Sequence, residues 1–211
     1  MNAAVKTPAK VPVRVLVVDI GGTGVKILAS GQTQRRKFPS GKTLTPDRMV
    51  AGVKRLAKGW EYDVVSIGYP GPVREGRPAV EPRNLGRGWF GFDFPAAFGC
   101  PVKMVNDAAM QALGSYRRGT MLFLGLGTGL GAAPVVDGTV VPLELGHLSI
   151  VKKTFEDEIG LRGLEKLGRK KWQKCVEAAT RRFVSALLLD DVVLGGGNAK
   201  KLTSLPMGCR M

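Results

Sequence analysis

The sequence predicts a duplicated α/β fold, two related lobes around a central cleft. Strand-like apolar runs lead into helix-like amphipathic segments along all 211 residues, the order that builds sheets with helices packed on them. A Gly-Thr-Gly step also occurs twice, each time directly after an apolar run. The first copy is Asp19-Ile20-Gly21-Gly22-Thr23-Gly24-Val25-Lys26, and the second is Leu124-Gly125-Leu126-Gly127-Thr128-Gly129-Leu130-Gly131. Each half opens alike, so the chain divides into an N-terminal tail (1–12), one α/β lobe (13–106) and a second (107–211). Glycine lets backbone N–H groups approach an oxyanion closely and permits positive φ, and threonine adds a hydroxyl donor. Two such turns suit a phosphate chain gripped from both sides of a cleft.

Taken in order, residues 13–19 form a buried strand, 25–29 the strand returning from the first glycine turn, and 34–38 a third. Thr45 caps a helix with Pro46 in its first position and Asp47 beside the positive end of the dipole. That helix runs to about Lys58. Residues 64–67 make another core strand, ending in Gly68-Tyr69-Pro70-Gly71-Pro72, a strong loop signal. Residues 82–94 show no period and read as a structured loop. A short strand, 102–105, delivers Asn106-Asp107 to a helix reaching Tyr116, where Asp107 has a bland reading as the N-cap. The second half has a strand at 121–124, the second glycine turn, a strand at 132–136 and an Asp137-Gly138 hairpin turn. Helices follow at 156–167 and 171–188, then a last strand at 192–194. Gly195-Gly196-Gly197-Asn198 opens a short helix ending near Ser204.

Composition bounds the function. Hydrophobic content is 44% and mean hydropathy is near zero, and no apolar run is long enough to cross a bilayer. The start, with Lys6, Lys10, Pro8 and Pro12, has no apolar core of a signal peptide. A cytoplasmic location is expected, with no membrane partner. Cys100, Cys175 and Cys209 are odd in number and widely spaced, and His147 stands alone, so neither a disulfide framework nor a His-rich metal cluster is read. The outlier is charge: 32 Lys and Arg against 17 Asp and Glu, a net +15. Such an excess points to a polyanion. It is concentrated at Lys152, Lys153, Arg162, Lys166, Arg169, Lys170, Lys171 and Lys174, although a solvated helix face has the same look.

Three patterns mislead. Ser40-Gly41-Lys42-Thr43 looks like the tail of a P-loop, but the first glycine of that motif would fall on Arg36. Gly127-x-Gly129-x-x-Ala132 fits a loose dinucleotide fingerprint, yet it opens into a strand and hairpin rather than a helix. Glu144-x-x-His147 has helical spacing without a third metal ligand nearby.

The ordered set of motifs resembles the ROK family of sugar kinases (repressor, open reading frame, kinase), within the actin-like ATPase, ribonuclease H-like superfamily. The residues that carry it are Asp19-Ile-Gly-Gly-Thr23, Gly68-Tyr-Pro-Gly-Pro-Val73, Val105-Asn-Asp-Ala108, Gly125-Leu-Gly-Thr-Gly129, Glu144-Leu-Gly-His147 and Gly195-Gly-Gly-Asn198. The likeness runs from about Val13 to the end. ROK kinases generally follow the ExGH signature with a cysteine-rich zinc motif, which is missing here, so no structural zinc is expected. The first turn reads Gly-Gly-Thr-Gly-Val-Lys, whereas the general pattern places Lys directly after Thr. Both departures are similar to the polyphosphate glucokinase branch, as are Pro82-Arg-Asn-Leu-Gly-Arg-Gly-Trp89 and the basic stretch Leu164–Trp172.

The resemblance implies transfer of a phosphoryl group from inorganic polyphosphate, with ATP as second donor, to the 6-hydroxyl of glucose. Asp107 is the implied base. Asn84, Asn106, Glu144, His147 and Glu156 are the implied sugar contacts. Gly21, Gly22, Thr23, Gly24, Gly127, Thr128, Gly129 and Gly196 are the implied phosphate cradle, with Lys26 as a further phosphate contact or a solvent-facing residue. Asp19 is implied near Mg²⁺, or else simply closes its strand; Glu156 has the alternative of an ordinary first-turn helix acid. The basic segment would hold the tail of a phosphate polymer, and counterion release would make that binding salt-dependent.

Alternatives are a strictly ATP-dependent ROK hexokinase and a non-catalytic polyanion- or sugar-binding protein. The family's transcription regulators carry an N-terminal helix-turn-helix domain, for which the residues before Val13 are too few, so nucleic acid is not an expected partner. Relatives are commonly dimers, which makes a homodimer the expected assembly. Relatives also usually continue past Met211 through a closing helix, whose loss would loosen the fold.

Overall fold

Strict alternation of buried and half-exposed side chains along β1 (Val15–Ile20) seats Leu16, Val18 and Ile20 on a core face with no exposure. Burying each such side chain contributes about 1.5–3 kcal/mol relative to leaving it in water. The computed structural model describes residues 12–141, 143–150 and 152–211. The expected tail, apart from Pro12, lies outside the described residues. The chain forms two compact units, one ending at Met104 and one beginning at Val105.

In the first unit, β2 (Gly24–Ala29) pairs antiparallel with β1, Asp19 opposite Lys26, and β3 (Arg36–Pro39) pairs antiparallel with β2. Helix α1 (Pro46–Leu56) starts as expected, with Thr45 Oγ1 accepting the Arg48 N–H at 3.5 Å. β4 (Val64–Tyr69) runs parallel to β1. A hairpin of β5 (Val73–Arg74) and β6 (Arg77–Pro78) follows, turning on Glu75 and Gly76 at φ 51° and 73°. Helix α2 (Phe94–Phe98) follows the expected loop, in a stretch for which no element was expected. Its signals were local: Asp93 caps it and Gly99 at φ 77° ends it. β7 (Val102–Asn106) completes a sheet of order β3-β2-β1-β4-β7.

The second unit repeats that plan. After α3 (Asp107–Ser115) come β8 (Thr120–Leu126), β9 (Leu130–Val136) and β10 (Thr139–Val140), joined as antiparallel hairpins. Asp137 and Gly138, at φ 47° and 80°, make the expected tight turn. A 3₁₀ turn (Leu145–His147) and a small hairpin, β11 (Ser149–Ile150) with β12 (Lys153–Thr154), precede α4 (Phe155–Ile159) and α5 (Leu161–Leu187). Gly168 breaks α5 at φ 71°, ψ 161°, so the expected interruption between two helical stretches is real. β13 (Asp191–Gly195) runs parallel to β8, and β14 (Cys209–Arg210) parallel to β13, giving the order β10-β9-β8-β13-β14. β13 is therefore not the last strand, and the expected helix after it is only a 3₁₀ turn (Ala199–Lys201). Two residues of β14 carry too little pattern to be read as a strand from sequence.

Trp172 anchors the core of the second unit, fully buried, its indole N–H donated to the Ile159 carbonyl at 2.9 Å. Trp89 is equally buried in the first unit, against Tyr69 and Phe94, but its Nε1 has no hydrogen-bond partner among the described residues. Burial lifts the Cys209 thiol to about 11, with Asp191 adding to the shift, and pushes Cys100 and Cys175 up as well. All three stay protonated at neutral pH and are poor nucleophiles.

Candidate active site

The first glycine turn closes tightly on itself: the Gly21 N–H donates to the Gly24 carbonyl at 3.0 Å. Ser40 Oγ donates to the Gly21 carbonyl at 2.6 Å. None of Gly21, Gly22 and Gly24 has a left-handed φ, so positive φ, one of the two properties of glycine expected to matter there, is not used. Close approach is the reason instead. A Cβ on Gly21 would lie 3.2 Å from the Gly24 oxygen, and one on Gly24 would lie 3.3 Å from the Phe38 oxygen. The N–H groups of Gly22 and Thr23 make no hydrogen bond among the described residues, so two donors face outward.

Asp19 stands at the mouth of this turn. Its cross-strand neighbour Lys26 donates Nζ to Oδ2 at 2.9 Å. The ammonium of Lys26 therefore sits on Asp19 in this structure.

Asn84 lies beside the same turn, its side chain 3.8 Å from where a Cβ on Gly22 would be. Its loop is ordered by Glu81, a residue the sequence reading passed over. That carboxylate accepts the N–H groups of Gly88, Trp89 and Phe90 at 3.0–3.3 Å. Gly86 is pressed to the Leu44 carbonyl, which takes its N–H at 3.0 Å. An acid seven to nine residues ahead of its partners has no periodic signature, so only the folded loop exposes the role.

In the second unit the N-cap of α3 is Asn106, not Asp107. Asn106 Oδ1 accepts from Ala108 and Ala109 N–H at 2.9 and 3.3 Å, while Asp107 Oδ1 accepts from Ala108 at 2.8 Å. Asp107 occupies the first helical position, half-buried, with one oxygen pinned. A Cβ on Gly131 would come within 3.1 Å of the Ala108 Cβ. The start of α3 thus rests on β9 just beyond the second glycine turn.

That turn is the best-buttressed element of the unit. The Gly127 N–H donates to the Gly129 carbonyl at 3.1 Å. Asn198 donates Nδ2 to the Gly127 carbonyl at 2.8 Å and its own N–H to the Leu126 carbonyl at 2.9 Å. Leu161, opening α5, donates to the Thr128 carbonyl at 3.3 Å. Glu156 Oε2 accepts the Leu130 N–H at 3.1 Å. Gly127 and Gly129 again lack left-handed φ. Gly196 has it, at 83°, and a Cβ there would lie 2.6 Å from the Leu126 oxygen. Thr128 and Gly129 keep N–H groups with no acceptor among the described residues.

Glu144 and His147 bracket the 3₁₀ turn, their side chains exposed and without hydrogen bonds among the described residues. Leu145 is buried beneath them, and a Cβ on Gly146 would meet the Leu130 oxygen at 2.6 Å. The glycine of this motif therefore lets the turn dock at the start of β9. One unit so gathers Asp107, Glu144, His147, Glu156, Gly127–Gly129 and Gly196. The other gathers Asp19, Gly21–Gly24, Lys26 and Asn84.

Among the described residues no three His, Cys, Asp or Glu side chains are grouped as a metal site. A phosphate-borne Mg²⁺ requires only one or two carboxylates. Asp19 fits that need through Oδ1, which makes no hydrogen bond among the described residues.

The basic residues Lys166, Lys170, Lys171 and Lys174 are exposed and form no ion pair among the described residues, and Arg169 donates Nε to the Lys201 carbonyl. No described helix is long and apolar enough to cross a membrane.

Several known proteins are similar to this chain. A polyphosphate glucokinase of Mycobacterium tuberculosis is 28% identical over 208 residues, spanning 87% of this chain and 77% of that protein. The crystal structure of an inorganic polyphosphate/ATP-glucomannokinase from Arthrobacter sp. strain KM superposes with a TM-score of 0.77 at 24% identity, over 94% of this chain and 91% of that one. A ROK family glucokinase from Streptomyces griseus, in complex with glucose and AMPPNP, gives 0.72 at 18% identity, over 89% and 84%. At these identities the structural likeness is one of fold, the actin-like ATPase class with its two sheets. The ROK family model matches residues 15–171, well over half of the sequence, and the chain belongs to the ROK family.

Proposed function

We propose that the protein is a sugar kinase that phosphorylates the 6-hydroxyl of glucose, with inorganic polyphosphate as donor and ATP as a second donor. The observation that carries this is the pinned Asp107 carboxylate, set at the start of α3 where that helix rests beside the Gly127–Gly129 turn. A base and an anion cradle then belong to one rigid substructure, which phosphoryl transfer needs because its catalysis is mostly placement and charge relief. The relatives named above support the donor and the sugar.

Asp107 takes the proton of the 6-hydroxyl as that oxygen bonds to the terminal phosphorus. The phosphorus–oxygen bond to the donor breaks, and the shortened polyphosphate, or ADP, leaves with the bonding electrons. In the second unit the unpaired N–H groups of Thr128 and Gly129 hold donor oxygens, with Gly196 shaping the rim; in the first unit the phosphate-holding donors are the N–H groups of Gly22 and Thr23. In the second unit Asn106, Glu144, His147 and Glu156 hold sugar hydroxyls, Glu156 doing so through Oε1 while Oε2 stays on the turn; in the first unit the sugar contact is Asn84. Such fixed partners disfavour a sugar lacking the matching hydroxyl, since they would be left unpaired. Asp19 would hold Mg²⁺, which would offset charge on the donor phosphates. The exposed lysines of α5 hold the rest of the polymer.

The deciding experiment supplies glucose, Mg²⁺ and either polyphosphate or ATP, and measures glucose 6-phosphate. Product from polyphosphate supports the reading in full. Product from ATP alone narrows it to an ATP-dependent hexokinase, and none from either overturns it.

A further inference from the structure

The second glycine turn follows the C-terminal end of β8, and Gly196 follows that of β13. At the other ends of the same strands lies a cavity of about 520 Å³, lined by Arg117, Arg118, Gly119, Asp190, Asp191 and Arg210. Its size is that of small-molecule sites.

The charges of this lining are unevenly committed. Asp191 is taken by Arg210, whose Nε and Nη2 lie 3.0 and 2.7 Å from Oδ2. Arg210 Nη2 also donates to the Ser115 carbonyl at 2.5 Å. Asp190 Oδ2 accepts the Thr120 N–H at 2.8 Å. Arg117 and Arg118 are exposed and make no hydrogen bond or ion pair among the described residues. Their loop is nevertheless set: Gly119 has φ 67°, any Cβ on it would strike the Asp190 carboxylate, and Tyr116 donates its hydroxyl to the Gly119 carbonyl at 3.2 Å. Two uncommitted guanidiniums on a fixed loop, with a third held alongside, make a phosphate-shaped array of forked donors. Asp190 Oδ1, unpartnered among the described residues, is an acceptor suited to a hydroxyl.

We infer that this cavity is a second ligand site, separate from the candidate active site, that binds a phosphate group, either free or as the monoester of a polyhydroxylated molecule. The inference does not depend on the kinase reading, because none of its residues belongs to that site.

The test uses the full chain at low ionic strength, titrated separately with inorganic phosphate and with a hexose 6-phosphate. It is read by hydrogen exchange in peptides spanning residues 116–122 and 188–192, a readout that binding at the glycine turns leaves to other peptides. Either ligand slows exchange there, and the tighter of the two identifies the source. Arg117→Ser with Arg118→Ser abolishes the slowing and weakens the local binding by about 100-fold, about tenfold per charge-assisted contact. Asp190→Asn keeps an acceptor for Thr120, removes a negative charge and tightens inorganic phosphate. No slowing with either ligand in the wild-type chain, or the same response in all three proteins, overturns the inference.

Discussion

Glu156 and Gly129 are fitted to one another: the carboxylate that accepts the Leu130 N–H at 3.1 Å fills the space a side chain on Gly129 would need. The second glycine turn is shaped from outside by the first turn of α4. A residue that looks like an ordinary helix-opening acid therefore acts as a strut for that turn.

Gly129→Ala drives a methyl group into that carboxylate, and overpacking of this kind costs about 1–3 kcal/mol. Glu156→Ala leaves the Leu130 N–H without its partner, at a similar cost of about 1–3 kcal/mol. Glu156→Gln keeps an acceptor and costs less than either. Urea unfolding of the three variants gives the ranking; equal stability in all of them would remove the strut.

Asp107→Asn retains an acceptor for the Ala108 N–H, so the start of α3 is preserved. Turnover falls by about 10²–10⁴, the usual contribution of a general base, while glucose binding stays close to wild type. Initial rates and a sugar-binding titration on the same preparation separate the two effects, and undiminished turnover rules out the base.

Replacing Lys170, Lys171 and Lys174 together with Glu raises the KM for long-chain polyphosphate and flattens its salt dependence, with the KM for ATP little changed. Counterion release predicts that asymmetry, since only a polymer reaches the helix face. A matched rise for both donors would place the effect elsewhere.

Arg14 holds the Asp63 carboxyl at about 2, well below its ordinary value, through hydrogen bonds from its side chain at 2.7 and 3.2 Å and its backbone N–H at 2.9 Å. A lowered carboxylate contributes stability that is present above its unfolded value of about 4 and is lost as pH falls through its folded value. The stability difference between wild type and Asp63→Asn is therefore constant near neutrality and shrinks as pH falls from about 4 to about 2. Denaturation midpoints across that range check it; a difference that grows toward acid contradicts the assignment.

Gly168→Ala forces alanine into left-handed φ at the break in α5, at a cost of about 1–2 kcal/mol. Lys170→Ala, on the regular helix two residues on, changes stability by less than about 0.5 kcal/mol. Thermal unfolding distinguishes the two, and equal effects would mean that α5 runs unbroken in solution.

Sequence by itself determined what short-range chemistry dictates. Apolar runs and punctuating residues placed the main strands, α1 through Thr45 and Pro46, the Asp137-Gly138 turn and the break at Gly168, because capping, positive φ and side-chain periodicity act within a few residues. Order of motifs was enough to point to the family. What only the tertiary structure decided was why particular residues stand where they do. Gly21, Gly24 and Gly129 answer neighbours that are remote in sequence or across a hairpin, not a backbone angle. Gly146 makes room for Leu130, Asn106 rather than Asp107 caps α3, Lys26 settles on Asp19, and Glu81 ties a loop by three amides. Each is a contact whose partner is chosen by packing, and no local pattern announces a partner that the fold brings in from elsewhere.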